Sequence, residues 1–202
     1  MALKLFGVTV NDAHLTNMGV PDTETVVLRD LAAVCAPAEY HAVVADDDMA
    51  VMHDRVIATL AGRGPFLPAP LGVVFRSAES IQRWLELHYS ALTGAMAFVE
   101  NRVAGRVHVY RGAEDEAAAA GDITAAATES IRMMRATAVA TLPLRAEKLT
   151  GVVMSAAFLV EEDKWKDLVE EVAAQSTIAT SLRFELTGPW PPYDFVQMQL
   201  EA

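Results

Sequence analysis

The chain breaks into blocks of apolar and polar positions whose spacing predicts most of its elements. Residues 3–10 (LKLFGVTV) are rich in β-formers and close at Asn11-Asp12, which predicts an opening strand. A polar loop with Gly19, Pro21 and Asp22 leads to residues 25–35, predicted as one second strand that Pro37 ends. Asp46-Asp47-Asp48 then precede Met49, Met52, Val56 and Leu60, which recur at helical spacing. Acids at a helix start are favoured by the macrodipole and cap free N–H groups, and Gly62 and Gly64 stop the helix.

Residues 65–75 (PFLPAPLGVVF) are apolar but broken by proline, so an edge strand or extended segment is expected. Ser77 is the expected N-cap of the next helix. Its apolar face is Ile81, Trp84, Leu85, His88, Leu92, Ala95, Met96 and Val99. Residues 105–110 (GRVHVY) alternate as a strand does. Residues 113–120 are rich in Ala and acids, and Gly121-Asp122 mark a linker or a helix restart. From Ile123, helical spacing through Ala127, Ile131, Met134 and Ala138 predicts a helix that Pro143 ends.

Residues 149–160 form a near-continuous apolar run, as expected of a strand buried on both faces. Glu161, Glu162 and Asp163 open a helix predicted to bury Trp165, Leu168, Val169 and Val172. Residues 181–187 alternate, with Leu182, Phe184 and Leu186 inward and Arg183, Glu185 and Thr187 outward. The second half thus reads strand, helix, strand, helix, strand, most of a ferredoxin-like split β-α-β pattern. The expected fold class is α+β with two subdomains, 1–110 and 111–202, the second a modified ferredoxin-like fold.

Composition narrows the function. Among 202 residues, 52% are hydrophobic and 21% charged, with mean hydropathy +0.23, so the chain builds a core. The net charge of −11 argues against nucleic acid and against anionic lipid, and it serves solubility. The single cysteine, Cys35, sits in an apolar stretch and is expected to be a small buried hydrophobe. No signal-peptide pattern or spanning segment is evident, so a soluble cytoplasmic protein with no membrane span is expected.

Catalytic and metal chemistry finds little support. Of His14, His41, His53, His88 and His108, none pairs at the i, i+4 spacing of a zinc helix, and Cys35 has no second cysteine. His41 before the aspartates lacks the glycine and distal Glu of a calcium loop. Gly62-Arg63-Gly64 lacks the end of a phosphate loop, and no G-x-S-x-G elbow occurs. Glu129, Arg132 and Arg135 read as intrahelical pairs on an exposed face. No catalytic residue, cofactor or metal is expected.

One segment stands out. Residues 187–195 (TGPWPPYDF) place three prolines, a glycine and the aromatics Trp190, Tyr193 and Phe195 directly behind a strand. The prolines restrict Gly188, Trp190 and Pro191 to extended or turn geometry and make a stiff arm. Pro189-Trp190-Pro191-Pro192 also satisfies P-x-x-P. Two roles are open to Trp190: a lock packed on the domain, the usual fate of a large aromatic, or direct contact with a partner.

Residues 183–196 (RFELTGPWPPYDFV) resemble the C-terminal signature of the gas vesicle protein F/L (GvpL/GvpF) family. Residues 155–160 (SAAFLV), followed by a charged helix, are similar to the family's apolar strand and helix. Residues 67–75 (LPAPLGVVF) resemble its L-P-x-R-F-G-x-x-F block, with Pro70-Leu71-Gly72 where the family has Arg-Phe-Gly. The resemblance implies an accessory protein of gas-vesicle formation without catalysis, associated with the vesicles. Its implied partners are the hydrophobic shell protein or other accessory proteins. Gly188, Pro189, Trp190, Pro191, Pro192, Tyr193 and Phe195 are the candidate partner-binding or structural residues. The rival reading is a ferredoxin-like enzyme or a haem or small-ligand binder, with His88 or His108 as ligand or base.

Overall fold

The computed structural model of the protein describes residues 1–12, 20, 22–40, 47–112, 120–145 and 150–196. The loop residues Gly19 and Pro21, the linker at 113–119, Leu149, and His14 and His41 lie outside the described residues. So does the capping expected of the acids at 46–48. The chain divides into two compact units, Met1–Asn101 with Pro191–Ala202, and Arg102–Trp190. The boundary expected at 110 differs from this in two respects: the strand before it belongs to the second unit, and the chain's end belongs to the first.

The first unit holds β1 (Ala2–Val10), β2 (Glu24–Leu28), β3 (Leu31–Ala38), α1 (Asp47–Ala61), β4 (Phe66–Pro68), β5 (Val74–Phe75) and α2 (Ala78–Val99). Its sheet runs β2-β3-β1-β4, with β5 also paired to β1. Residues 25–35 are therefore not one strand but a hairpin, closed by Leu28 opposite Leu31 across Arg29-Asp30. Arg29 adopts φ +55°, which supplies the reversal without a glycine. Pro37 lies inside β3 rather than ending it. Beyond Cys35, β2 no longer accompanies β3, so a residue without an N–H is tolerated at an edge.

Phe6 is the extra residue of a bulge in β1, since Leu5 pairs with Cys35 while Gly7 pairs with Val34. The bulge shifts the side-chain alternation. Leu3, Leu5 and Val8 pack with Cys35, Ile81, Trp84 and Leu85 on the α2 face. Phe6 instead joins Val34, Ile57, Leu60 and Phe66 on the α1 face. A sheet covered by one helix on each face results. Ser77 caps α2 as expected, its Oγ accepting from the Ser80 N–H at 3.4 Å. On α1 the inward residue is His53, not Met52, which is exposed. Cys35 is fully buried, and burial pushes its thiol up to about 12.

The second unit runs β6 (Arg102–Arg111), α3 (Ala120–Met134), β7 (Ala140–Pro143), β8 (Val152–Glu161), α4 (Trp165–Ile178) and β9 (Leu182–Trp190). Its sheet is antiparallel in the order β7-β8-β6-β9. This element and strand order is the split β-α-β arrangement of ferredoxin-like folds. Val107, Val109, Ala156, Phe158 and Val160 meet Ile123, Ala127, Met134, Leu168 and Val172 from both helices. All six residues 155–160 are buried, as their unbroken apolar run requires.

Two helix expectations fail here. The helix at 123 does not continue to Pro143: it ends at Met134, and Ala138 is extended at φ −114°, ψ 146°. A short 3-10 turn, Arg135–Thr137, leads into β7, whose pairing with β8 outweighs the weak helical signal of Ala138. Val169, expected inside, is exposed, and Gln175 takes the buried position one turn beyond Val172. Among the described residues no helix is long and apolar enough to cross a membrane.

His53 carries a pH-dependent cost. It is 3% exposed, stacks on Phe6 with ring centroids 5.5 Å apart, and donates from Nε2 to the Ala69 carbonyl at 3.0 Å. Its Nδ1 is buried without a partner. Burial lowers its pKa most; the Ala69 bond and Asp54 oppose this, while Lys4 reinforces it. A folded pKa below the unfolded value means the unfolded chain binds the proton more readily. Stability is therefore lost as pH falls below the unfolded value of about 6.5. Thermal midpoints measured between about pH 7.5 and about pH 5.5 should fall more steeply for the wild type than for His53→Gln. Equal slopes would refute this.

Candidate functional site

The segment singled out by sequence begins as the end of a strand. β9 does not stop at Thr187 but runs on through Gly188 and Pro189 to Trp190, which pairs with Ala104 of β6. Thr187 pairs with Arg106, so β9 spends three steps where β6 spends two, and the extra residue forms a bulge at Gly188-Pro189. The bond between these two residues is cis. The Trp190 indole N–H donates to Thr187 Oγ1 at 3.2 Å and ties the two sides of the bulge together.

Gly188 has a specific reason to be glycine. Its φ of +132° is a conformation that L side chains rarely adopt. A Cβ there would lie 2.8 Å from Trp165 Cη2 and 2.9 Å from the Ala104 carbonyl oxygen. A Cβ on Gly105, the neighbouring position of β6, would meet the same indole at 2.9 Å and Leu168 Cδ2 at 3.0 Å. Trp165, the first residue of α4, thus lies against two backbone positions that have no side chain. Glu161 and Lys164 form an exposed ion pair at 2.5 Å just before it.

Trp190 is 46% exposed, so the lock on the domain is made by Trp165 and not by Trp190. The remaining signature residues belong to the first unit. Pro192 is buried, and the 3-10 turn Tyr193–Phe195 comes directly after it. Tyr193 packs against the cluster of Phe6, Val34, Ile57, Leu60 and Phe66, and its hydroxyl reaches Asp54 Oδ1 at 3.4 Å. Val196 packs on the main core of that unit, and Phe195 is half-buried. Gly188, Pro189 and Trp190 therefore share the second unit's sheet, whereas Pro191, Pro192, Tyr193 and Phe195 belong to the first unit. They do not form one cluster.

Sequence reasoning missed Gly105 and Asp54 and gave Trp165 no special part. An isolated glycine inside the alternating strand 105–110 is the usual mark of close backbone or ring approach, and it could have pointed to Trp165. Asp54 carried no such mark.

The two histidines of the rival reading belong to different units. His108 Nδ1 lies 2.8 Å from Ser155 Oγ on the adjacent strand. The His88 ring is 5.7 Å from Trp84, and its Nε2 is buried without a partner. Among the described residues, no three His, Cys, Asp or Glu side chains converge to hold a metal ion.

These features define a two-unit α+β protein whose split β-α-β sheet ends in a bulged, proline-bounded strand bearing an exposed tryptophan. The family model described as gas vesicle synthesis protein GvpL/GvpF matches residues 5–138 and 111–197, and the chain belongs to that family. The crystal structure of gas vesicle protein GvpF from Anabaena sp. PCC7120 is similar at a TM-score of 0.78 and 15% identity, over 98% of this chain and 99% of that one. GvpF from Microcystis aeruginosa is similar at 0.77 and 14%, with the same coverage. At such identities the likeness is one of fold. No curated protein matches the chain in sequence.

Three substitutions test this geometry. Gly188→Ala should destabilise the protein by about 2–4 kcal/mol, from the strained φ and the clash with Trp165. Trp165→Ala in the same chain should reduce that penalty without removing it, because Ala104 and the φ remain; thermal denaturation of the four-member cycle measures the coupling. Tyr193→Ala should cost about 1–3 kcal/mol, as loss of a half-buried aromatic does. A Gly188→Ala variant as stable as wild type would overturn the account of the bulge.

Proposed function

We propose that this chain is a non-catalytic accessory protein of gas-vesicle formation, acting in the cytoplasm in association with the vesicles. In this reading it engages the hydrophobic shell protein, or another accessory protein, through the surface around Trp190. The observation that carries it is an indole nearly half exposed on a hydrogen-bonded strand, inside the most distinctive sequence signature of the chain. Exposing a large aromatic on rigid backbone is costly in water and favourable at an interface, where Trp is enriched among the residues that dominate affinity.

The chemistry of such a partner supports the reading. A strongly apolar shell subunit aggregates unless its surface is covered before incorporation. A carrier with net charge −11 remains soluble while offering an apolar contact. In the same reading, Gly188, Pro189, Pro191 and Pro192 hold the strand end in shape, and Tyr193 and Phe195 anchor the chain beyond it.

The test separates contact from folding. Trp190→Ala should change stability by less than about 1 kcal/mol, since its side chain is nearly half open to water and fills no core. It should nevertheless weaken capture of the shell protein by about tenfold or more in a pull-down with purified components. Tyr193→Ala, by contrast, should lower the melting temperature first and binding only as a consequence. Wild-type capture by a folded Trp190→Ala protein would place the partner surface elsewhere.

A further inference from the structure

The sheet of the second unit ends on β9, and no strand lies on the other side of β9 among the described residues. We propose that this edge pairs with the same edge of a second copy of the chain, antiparallel and centred on Phe184. The inference does not rest on the role given to Trp190: it concerns residues 182–186, ahead of the bulge.

Hydrogen-bond parity supplies the first argument. The Gly112 N–H donates to the Ser181 carbonyl at 2.7 Å, one step beyond the Arg111–Leu182 pair. Bonded and non-bonded pairs alternate along an antiparallel ladder, so Arg183, Glu185 and Thr187 direct their backbone groups to β6. Leu182, Phe184 and Leu186 direct theirs outward. The Leu182 N–H is taken by the Ala179 carbonyl at 2.9 Å, which leaves the Leu182 carbonyl for the edge. Two outward-pointing residues must face each other in a new ladder, so a twofold axis has to pass through a residue and not between two. With the axis at Phe184, the two Phe184 residues exchange both of their hydrogen bonds. Each Leu186 N–H then reaches the Leu182 carbonyl of the other copy.

Charge decides which residue carries the axis. Arg183 and Glu185 flank Phe184 and are exposed on one face of the strand. Within the chain they approach to 3.6 Å, an exposed contact of little energetic weight, and Arg183 also lies 3.9 Å from the Tyr110 ring centroid. Centred on Phe184, the pairing sets Arg183 of each copy directly opposite Glu185 of the other. These are non-hydrogen-bonded positions, where side chains come closest. Moving the axis to Arg183 or to Glu185 would set that residue against itself, like charge on like. Residues 183–185 are thus their own complement when read antiparallel.

The ends of the sheet favour a closed pair. Proline and bulges are the usual devices against edge pairing, and in β9 both come after Leu186, at Gly188-Pro189. The opposite edge strand, β7, is only four residues long and ends in Pro143, which has no N–H. One edge is therefore open to pairing and the other is blunted, which suits an isologous dimer and not a growing fibre.

Sedimentation velocity on the full chain over a concentration series should show a reversible monomer–dimer equilibrium. Arg183→Glu should weaken dimerisation by about tenfold or more, because it opposes like charges at two places. Adding Glu185→Arg to that variant should restore the dimer, since the charges are exchanged but still opposite; circular dichroism checks that both variants are folded. Cross-linking reads the register. Arg183→Cys protein mixed with Glu185→Cys protein under oxidised glutathione should form a disulfide-linked dimer, as Cα atoms at such a pair are about 4.5 Å apart. Either cysteine variant alone should remain unlinked. A chain that stays monomeric up to about 1 mM would overturn the proposal. So would dimerisation unchanged by Arg183→Glu, no recovery in the double variant, or equal linking by either cysteine variant alone.

Discussion

The close seating of the Trp165 indole on Gly105 and Gly188 governs how the second unit ends. Two adjacent strands give up their side chains at the same level, and the first ring of α4 fills the space. Dispersion depends steeply on separation, so a ring in direct contact with backbone gains more than one held off by a methyl group. The contact fixes the start of α4 over β6 and β9, from which Leu168 and Val172 reach the core. It also accounts for the bulge: with Gly188 at a positive φ beneath the ring, β9 can absorb an extra residue and still return to register at Trp190.

That arrangement removes the locking role that the sequence left open to Trp190. A large aromatic in a proline-rich segment normally finds a buried place, and that chemistry holds in general. Here the place is taken by a tryptophan twenty-five residues earlier in the chain, reached through a helix and a strand. Sequence pattern reports how much apolar surface a segment carries. It does not report which of two indoles occupies a given site, because that choice is made by tertiary packing.

Other readings divide in the same way. The α2 face from Ile81 to Val99 and the buried run of β8 are legible in the sequence, because long periodic or unbroken apolar patterns admit one solution. Residues 25–35 read as one strand because Arg29-Asp30 is a turn without glycine, asparagine or proline to announce it. Ala138 reads as helical because alanine fits any apolar template. The hydrogen bond from the Val139 N–H to the Leu159 carbonyl, far away in sequence, decides the outcome. The place of β6 is equally hidden, since it pairs with β8 and β9, which come much later in the chain.

The signature itself shows why a distinctive string need not be a single site. Within a few residues, the chain meets a steric demand at Gly188, a burial demand at Pro192 and a packing demand at Tyr193. Each is satisfied by a different part of the fold, and each would fix its residue without reference to any partner. Trp190 is the exception. Its hydrogen bond to Thr187 holds the ring in one orientation, and nearly half of the side chain remains open to water. A large apolar side chain held in one orientation and left partly in water is of the kind enriched at interfaces. Within the signature, Trp190 is thus the residue on which the proposed contact falls, while its neighbours are accounted for by steric fit, burial and packing.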